Sequence, residues 1–244
     1  MTLIRAQKKR ILFLDYDGTL VNFVDKPEDA TPDEELIKLI TKINAQKNTE
    51  VVLISGREKN IMGSWWQETP VELISEHGVW TRQKNGEWEL SENVKNDWME
   101  TVRPVIQTFV DRTPGTFIED KNYSLAWHFR KADPVLGEIR ANELSTVLKE
   151  LISNHSLSVL EGNKVLEIKN SGVNKGKAAN KMLAGNNYDF IFAIGDDWTD
   201  EYMFRELPEL SYTVKVGLRT SSANYYVEDT ARVREILNLF LEQV

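Results

Sequence analysis

A doubly wound α/β domain built on a parallel sheet, interrupted by a smaller inserted α/β module, is the fold class that this 244-residue sequence predicts. Three observations carry that prediction. The apolar runs Ile11-Leu14, Val51-Ile54 and Phe190-Ile194 each stop abruptly at polar residues, and runs apolar on both faces suit strands covered on both sides. Segments of helical periodicity separate the runs, which is the grammar of a doubly wound domain. The middle of the chain follows a different order: helix, strand, strand, helix, strand, strand. The expected division is a core over residues 1–91 and 171–244 and an inserted module over residues 92–170.

Taken in order, Ile11-Leu14 leads into Asp15-Tyr16-Asp17-Gly18-Thr19, Val51-Ile54 into Ser55-Gly56-Arg57, and Phe190-Ile194 into Gly195-Asp196-Asp197. In Thr31-Pro32-Asp33-Glu34 the pattern is an N-cap, a proline at the first helical position and an acidic first turn. Leu36, Ile37, Leu39, Ile40 and Ile43 follow at helical spacing. Lys175-Ala184 and Arg232-Val244 are further helix candidates. In the module, helices are expected over Asn93-Arg112 and Pro134-Asn154, and strands over Phe117-Glu119, Ser124-Arg130, Leu157-Leu160 and Val165-Ile168, with Glu161-Gly162-Asn163 turning between the last two. Doubly wound sheets place ligands at the carboxyl ends of their strands, where all three polar clusters fall.

Composition excludes several classes of function. A net charge of −8 argues against nucleic acid or an anionic membrane as the partner. No apolar run approaches the ~20 residues of a membrane helix. With no cysteine there are no disulfides, thiolate metal sites or cysteine nucleophile. The basic segment Met1-Arg10 lacks the apolar core of a signal peptide, so a cytoplasmic protein is expected. No single surface patch marks an oligomer contact, and a monomer is the default expectation.

Each polar cluster has a plain structural reading: an Asx-type loop at Asp15-Asp17, a serine cap at Ser55, an acidic helix start at Asp196-Glu201 and a solvated lysine at Lys175. Their combination in one order points further. Asp15 and Asp17, two apart, project to one side of an extended chain, and paired carboxylates repel unless a cation or shared proton relieves them. Magnesium takes a few carboxylates plus water and substrate phosphate. Ser55 opens a probable helix, whose amides and hydroxyl can hold an anion. Lys175 stands at a helix start, the end that cations ordinarily avoid. Together these describe phosphoryl transfer. Asp15 attacks phosphorus and Asp17 serves as acid and then base. Ser55 and Lys175 hold the phosphoryl oxygens, and Mg2+ lies between Asp15, Asp196 and the phosphate. Asp17 and Asp200 are further metal-ligand candidates, and the choice between Asp197 and Asp200 stays open.

Asp15-x-Asp17-Gly18-Thr19, Ser55, Lys175 and Gly195-Asp196-x-x-x-Asp200 resemble the four motifs of the haloacid dehalogenase superfamily of phosphatases. The resemblance implies a Rossmann-like core with an α/β cap inserted between the second and third motifs. A narrower one follows from Arg112-Thr113-Pro114-Gly115, Glu119-x-Lys121-x-x-Ser124, Trp127-His128-Phe129-Arg130, Ser55-Gly56-Arg57 and Glu76-His77-Gly78. These look like trehalose-6-phosphate phosphatases. That resemblance implies trehalose 6-phosphate as substrate and Glu119, Lys121 and Ser124 as sugar-binding residues, with Glu167 a further candidate. Arg57 and His77 join the substrate-binding candidates, and a trehalose-6-phosphate synthase is the partner implied. His128, between two aromatics on a strand, reads as structural. The same motifs also suit a phosphatase of sucrose phosphate, a mannosylglycerate phosphate or a hexose phosphate, a phosphotransferase, or a non-catalytic sugar-phosphate-binding module.

Overall fold

In a computed structural model of the chain, which describes residues 9–24, 29–92 and 94–241, the first apolar run becomes β1 (Arg10–Asp15). It is followed by α1 (Glu34–Asn44), β2 (Thr49–Ile54), α2 (Lys59–Trp65), β3 (Glu72–Ser75), β4 (Trp80–Arg82) and β5 (Trp88–Leu90). Then come α3 (Met99–Arg112), β6 (Phe117–Asp120), β7 (Ser124–His128), α4 (Pro134–Leu151), β8 (Leu157–Gly162) and β9 (Val165–Asn170). The chain continues through α5 (Lys175–Leu183), β10 (Phe190–Gly195), α6 (Asp200–Glu206), β11 (Tyr212–Val216), β12 (Tyr225–Val227) and α7 (Thr230–Leu239). Two compact units result: Met1–Ser91 with Asn174–Val244, and Glu92–Val173.

The first unit is organised by an eight-stranded sheet in the order β12-β11-β10-β1-β2-β3-β4-β5. Pairing is parallel from β12 to β3 and antiparallel from β3 through β5. The apolar run Ile11-Leu14 of the fully buried β1 is explained by its two faces. Leu12 and Leu14 pack in one core with Leu36 and Ile40 of α1 and Val233 and Leu237 of α7. Ile11 and Phe13 pack in another with Ala178 and Ala179 of α5 and Met203 and Phe204 of α6. Each such side chain taken fully from water contributes about 1.5–3 kcal/mol. The strand is thereby fixed from both sides, and its last residue, Asp15, is held at the sheet's carboxyl edge.

The second unit is a four-stranded antiparallel sheet in the order β6-β7-β9-β8. Leu125, Trp127, Leu166 and Ile168 point to one face and pack on Val102 and Ile106 of α3 and Leu144 and Leu148 of α4. Alternation along the strands puts Glu119, Ser124, Ala126, His128 and Glu167 on the other face.

Several boundaries differ from expectation. The cap of α1 is Asp33, not Thr31, because the Asp33 carboxylate accepts the Leu36 amide at 2.7 Å. Helix α3 begins at Met99; Asn93, where it was expected to start, and Glu242-Val244 and Met1-Lys8, at the chain's ends, lie outside the described residues. β8 runs through Gly162, which moves the turn onto Asn163-Lys164, with Lys164 at φ 64°. Among the described residues no helix is long and apolar enough to cross a membrane.

Candidate active site

Strands β1 and β10 lie side by side and end together, Leu14 opposite Ile194. This brings the first and last polar clusters to one place. The Lys175 ammonium, at the first residue of α5, donates to Asp15 Oδ1 and to Asp200 Oδ1, each at 2.7 Å. Asp15 Oδ2 accepts from the Thr19 hydroxyl at 2.7 Å. Asp200 Oδ2 accepts from the Asp197 amide at 2.9 Å. The loop that carries these acids is held from behind by Lys215, whose ammonium donates to the carbonyls of Asp196 and Asp197. Each of Asp15, Asp196 and Asp200 offers an oxygen within 4.8 Å of the other two.

This approach depends on glycines. A Cβ on Gly195 would strike the Asp200 carboxylate, and one on Gly18 would strike that of Asp196. Gly18 also has φ 78°, a conformation that disfavours side chains.

Burial here sets the electrostatics. Desolvation first, then the charge of Asp200, holds Asp15 well above the usual carboxylate range despite Lys175. Burial followed by Asp200 pushes Asp196 up to about 6. Burial alone would lower Lys175, but the Asp15 and Asp200 carboxylates outweigh it and the ammonium is held charged. Three carboxylates against one ammonium leave surplus negative charge among hard oxygen donors, a set that suits a divalent cation.

Asp17 does not join this group. The chain turns directly after Asp17, with the Leu20 amide on the Tyr16 carbonyl and Asp17 bridged to Val21. The Asp17 carboxylate is gripped by Arg57, through Nε at 2.9 Å and Nη2 at 2.6 Å. Arg57 in turn lies 5.0 Å above the Trp65 ring. Ser55 is fully buried and its Oγ accepts the Arg57 amide at 3.1 Å. It does not cap a helix, because α2 starts only at Lys59. His77 stacks against Ser55-Gly56: its amide bonds the Ser55 carbonyl at 3.0 Å and its ring fills the space a Gly56 Cβ would take. Backbone φ of 50° at Glu76 and 55° at His77 makes that turn.

The inserted unit gathers the other candidates on its polar sheet face. Glu119 Oε2 and His128 Nε2 are 2.7 Å apart. Ser124 donates to Glu167 Oε1 at 2.7 Å, and the Lys121 ammonium lies 3.6 Å from the same oxygen. The His128 contact, above all, draws the Glu119 carboxyl below its ordinary range.

Comparison with known proteins shows the family of the chain. The trehalose-phosphatase family model matches residues 13–231, which spans both polar strand ends and the whole insert. The chain belongs to the trehalose-phosphatase family. It is 40% identical over 240 residues to the alpha,alpha-trehalose-phosphate synthase [UDP-forming] B of Dictyostelium discoideum, covering 96% of this chain and 30% of that protein. To the bifunctional trehalose-6-phosphate synthase/phosphatase of Thermoproteus tenax it is 38% identical over 230 residues, covering 94% of this chain and 32% of that one. The chain thus spans about a third of the length of these curated relatives. The C-terminal domain of C. albicans trehalose-6-phosphate phosphatase superposes with a TM-score of 0.88 at 26% identity, covering 97% of this chain and 94% of that one. The fold is shared with a haloacid dehalogenase-like hydrolase from B. subtilis, which superposes with a TM-score of 0.67 at 12% identity, covering 96% of this chain and 99% of that one.

In this trehalose-phosphatase-family chain, four residues without an expected role touch the candidates. Thr19 bonds Asp15, and its place four residues beyond that acid in the Asp-Gly-Thr turn is its sequence signal. Trp65 braces Arg57, and His128 meets Glu119. Lys215 gives no sequence signal, since a lone lysine inside Tyr212–Val216 looks like any strand residue.

Proposed function

We propose that the chain is a magnesium-dependent phosphatase that hydrolyses trehalose 6-phosphate to trehalose and phosphate. The observation that carries this reading is the meeting of Asp15, Lys175, Asp196 and Asp200 at one strand end of a trehalose-phosphatase-family chain. Asp15 attacks phosphorus; its oxygen–phosphorus bond forms as the bond to the sugar oxygen breaks, and Asp17 delivers the proton to that oxygen. Asp17 then takes a proton from water as water attacks phosphorus and releases Asp15. Lys175 fixes the Asp15 carboxylate and offsets charge on the phosphoryl oxygens. Ser55 and His77 line the same loop, and Arg57 places Asp17 through its two-point grip.

Asp15, Asp196 and Asp200 are the side chains that fit magnesium, and Asp17, whose carboxylate Arg57 grips, stays a further ligand candidate. When bound, the ion supplies positive charge to the phosphoryl oxygens. Glu119, Lys121, Ser124 and Glu167 recognise the second sugar through their hydrogen-bonding capacity. The names of the longer relatives support a synthase domain or subunit as the partner.

Phosphate release from trehalose 6-phosphate, sucrose 6-phosphate, glucose 6-phosphate and an aryl phosphate, with magnesium and with chelator, tests the reading. Magnesium-dependent release that favours trehalose 6-phosphate is expected. Preference for another sugar keeps the chemistry and removes the substrate assignment, and no release from any of them overturns the enzymatic reading.

A further inference from the structure

The polar face of the inserted sheet has an order that its individual contacts do not convey. One row across three strands reads Glu119 on β6, Ala126 on β7 and Glu167 on β9. Two acids therefore stand on either side of a methyl group, separated by two strand spacings, roughly 10 Å. The residues two before and two after Ala126 on the same face of β7 are Ser124 and His128. Ser124 holds Glu167, and His128 holds Glu119. A single strand thus supplies a low floor and a tether for each flanking acid.

The His128 tether is well defined. Its ring is stacked on Phe117, centroids 4.7 Å apart and planes 12° from parallel, which fixes the imidazole plane. An ionised carboxylate only accepts, so Nε2 carries the proton and donates to Oε2. No described residue donates to the other oxygen of Glu119, whose side chain is 40% exposed.

We propose that His128 is a positioning residue for substrate selection: it pins Glu119 Oε2 so that Oε1 is presented to a sugar hydroxyl beside Ala126. This rests on the reading of the polar face as the sugar-recognition surface. Without the tether a flexible glutamate must be ordered by each arriving sugar, and binding weakens. A residue that serves only packing would not depend on the presence of Glu119.

The test is steady-state kinetics on trehalose 6-phosphate for the full chain and for Glu119→Ala, His128→Ala, His128→Gln and the Glu119→Ala/His128→Ala pair. His128→Met, which fills the same space without a donor, stands in if the alanine variant fails to fold. Glu119→Ala is expected to raise KM roughly tenfold or more, the loss of a charged hydrogen bond. His128→Ala or His128→Met should raise KM about three- to tenfold, the loss falling on KM rather than kcat. His128→Gln, which keeps a donor at similar reach, should recover most of it, and the double variant should be no worse than Glu119→Ala alone. If Glu119→Ala leaves KM unchanged, the sugar-recognition reading fails. If Glu119→Ala raises KM while His128→Ala and His128→Met do not, or if the His128 effect persists in full without Glu119, the positioning role is overturned and the sugar face stands.

Discussion

The two ends of the core sheet both collect acids, and they do so differently. At the amino end, Glu50 of β2 and Glu72 of β3 face each other's charge, and burial followed by Glu50 pushes Glu72 up to about 7. Glu50 accepts from the Tyr188 hydroxyl and lies 3.4 Å from the ammonium of Lys9, whose side chain is 36% exposed. At the carboxyl end, Asp196 is raised to a similar degree, but it stands with Asp15 and Asp200 around an ammonium 3% exposed. A raised carboxyl is therefore common to both ends and marks neither as a site. What separates them is convergence. Glu50 and Glu72 stand on neighbouring strands with directions fixed by the pleat, whereas Asp15 at the end of β1 is met by Asp196 and Asp200 from the loop and helix start after β10, which passes close to the first loop at Gly18.

Substitutions can break or sharpen this contrast, and the largest effect belongs to turnover. Asp15→Asn should reduce phosphate release by roughly 10⁴-fold or more, while Glu72→Gln should stay within about twofold of the parent. Comparable losses from both would erase the distinction. Next is Lys175→Met, which leaves three acids crowded without their ammonium. In chelator, denaturant unfolding should show a loss of about 3–5 kcal/mol, and an unchanged midpoint would mean that the lysine is not balancing that charge.

Metal addition should come third. At a hundred times its dissociation constant a cation stabilises by about 2.7 kcal/mol, which for a chain of this size raises Tm by about 5–10 °C. Asp196→Asn should abolish most of that rise and Glu50→Gln none of it; the reverse pattern would move the cation to the other end. The smallest effect concerns Glu72 and pH. Its folded pKa, about 7, lies above the ordinary 4.5, so its contribution is fully present below pH 4.5 and is lost as pH rises through 7. Glu72→Gln escapes that loss. Its Tm should match the parent's near pH 4.5 and exceed it by about 2 °C at pH 8, given partial screening by water. Parity at pH 8 would show that Glu72 is not strained.

What was legible in the sequence follows from the same geometry. β1, β2 and β10 are buried on both faces, so their uninterrupted apolar runs announce them. β4, β5 and β12 are three residues long with at least one exposed or half-exposed position each, and such strands leave no periodic trace. Arg10 illustrates the limit: it reads as the end of a basic tail, yet it is the first residue of β1, 2% exposed, with its Nε on Thr49. At the site, Asp15, Lys175, Asp196 and Asp200 were nameable because each sits directly at a strand end or helix start. The Asp17–Arg57 and His128–Glu119 partnerships were hidden, because partners in different loops or on different strands are set by loop path, register and rotamer, which spacing does not encode.

The glycines at the strand ends have a consequence for anyone who would rebuild this protein. Gly18 and Asp196 are far apart in the chain, yet the missing side chain of one is the room that the other occupies. Within the last loop, Gly195 makes room for Asp200 in the same way. A library that varies one motif at a time therefore samples mostly steric collisions, and a methyl group added in the first loop has to be answered by a smaller residue in the last. The two loops form a single unit of inheritance, to be transplanted together or left alone.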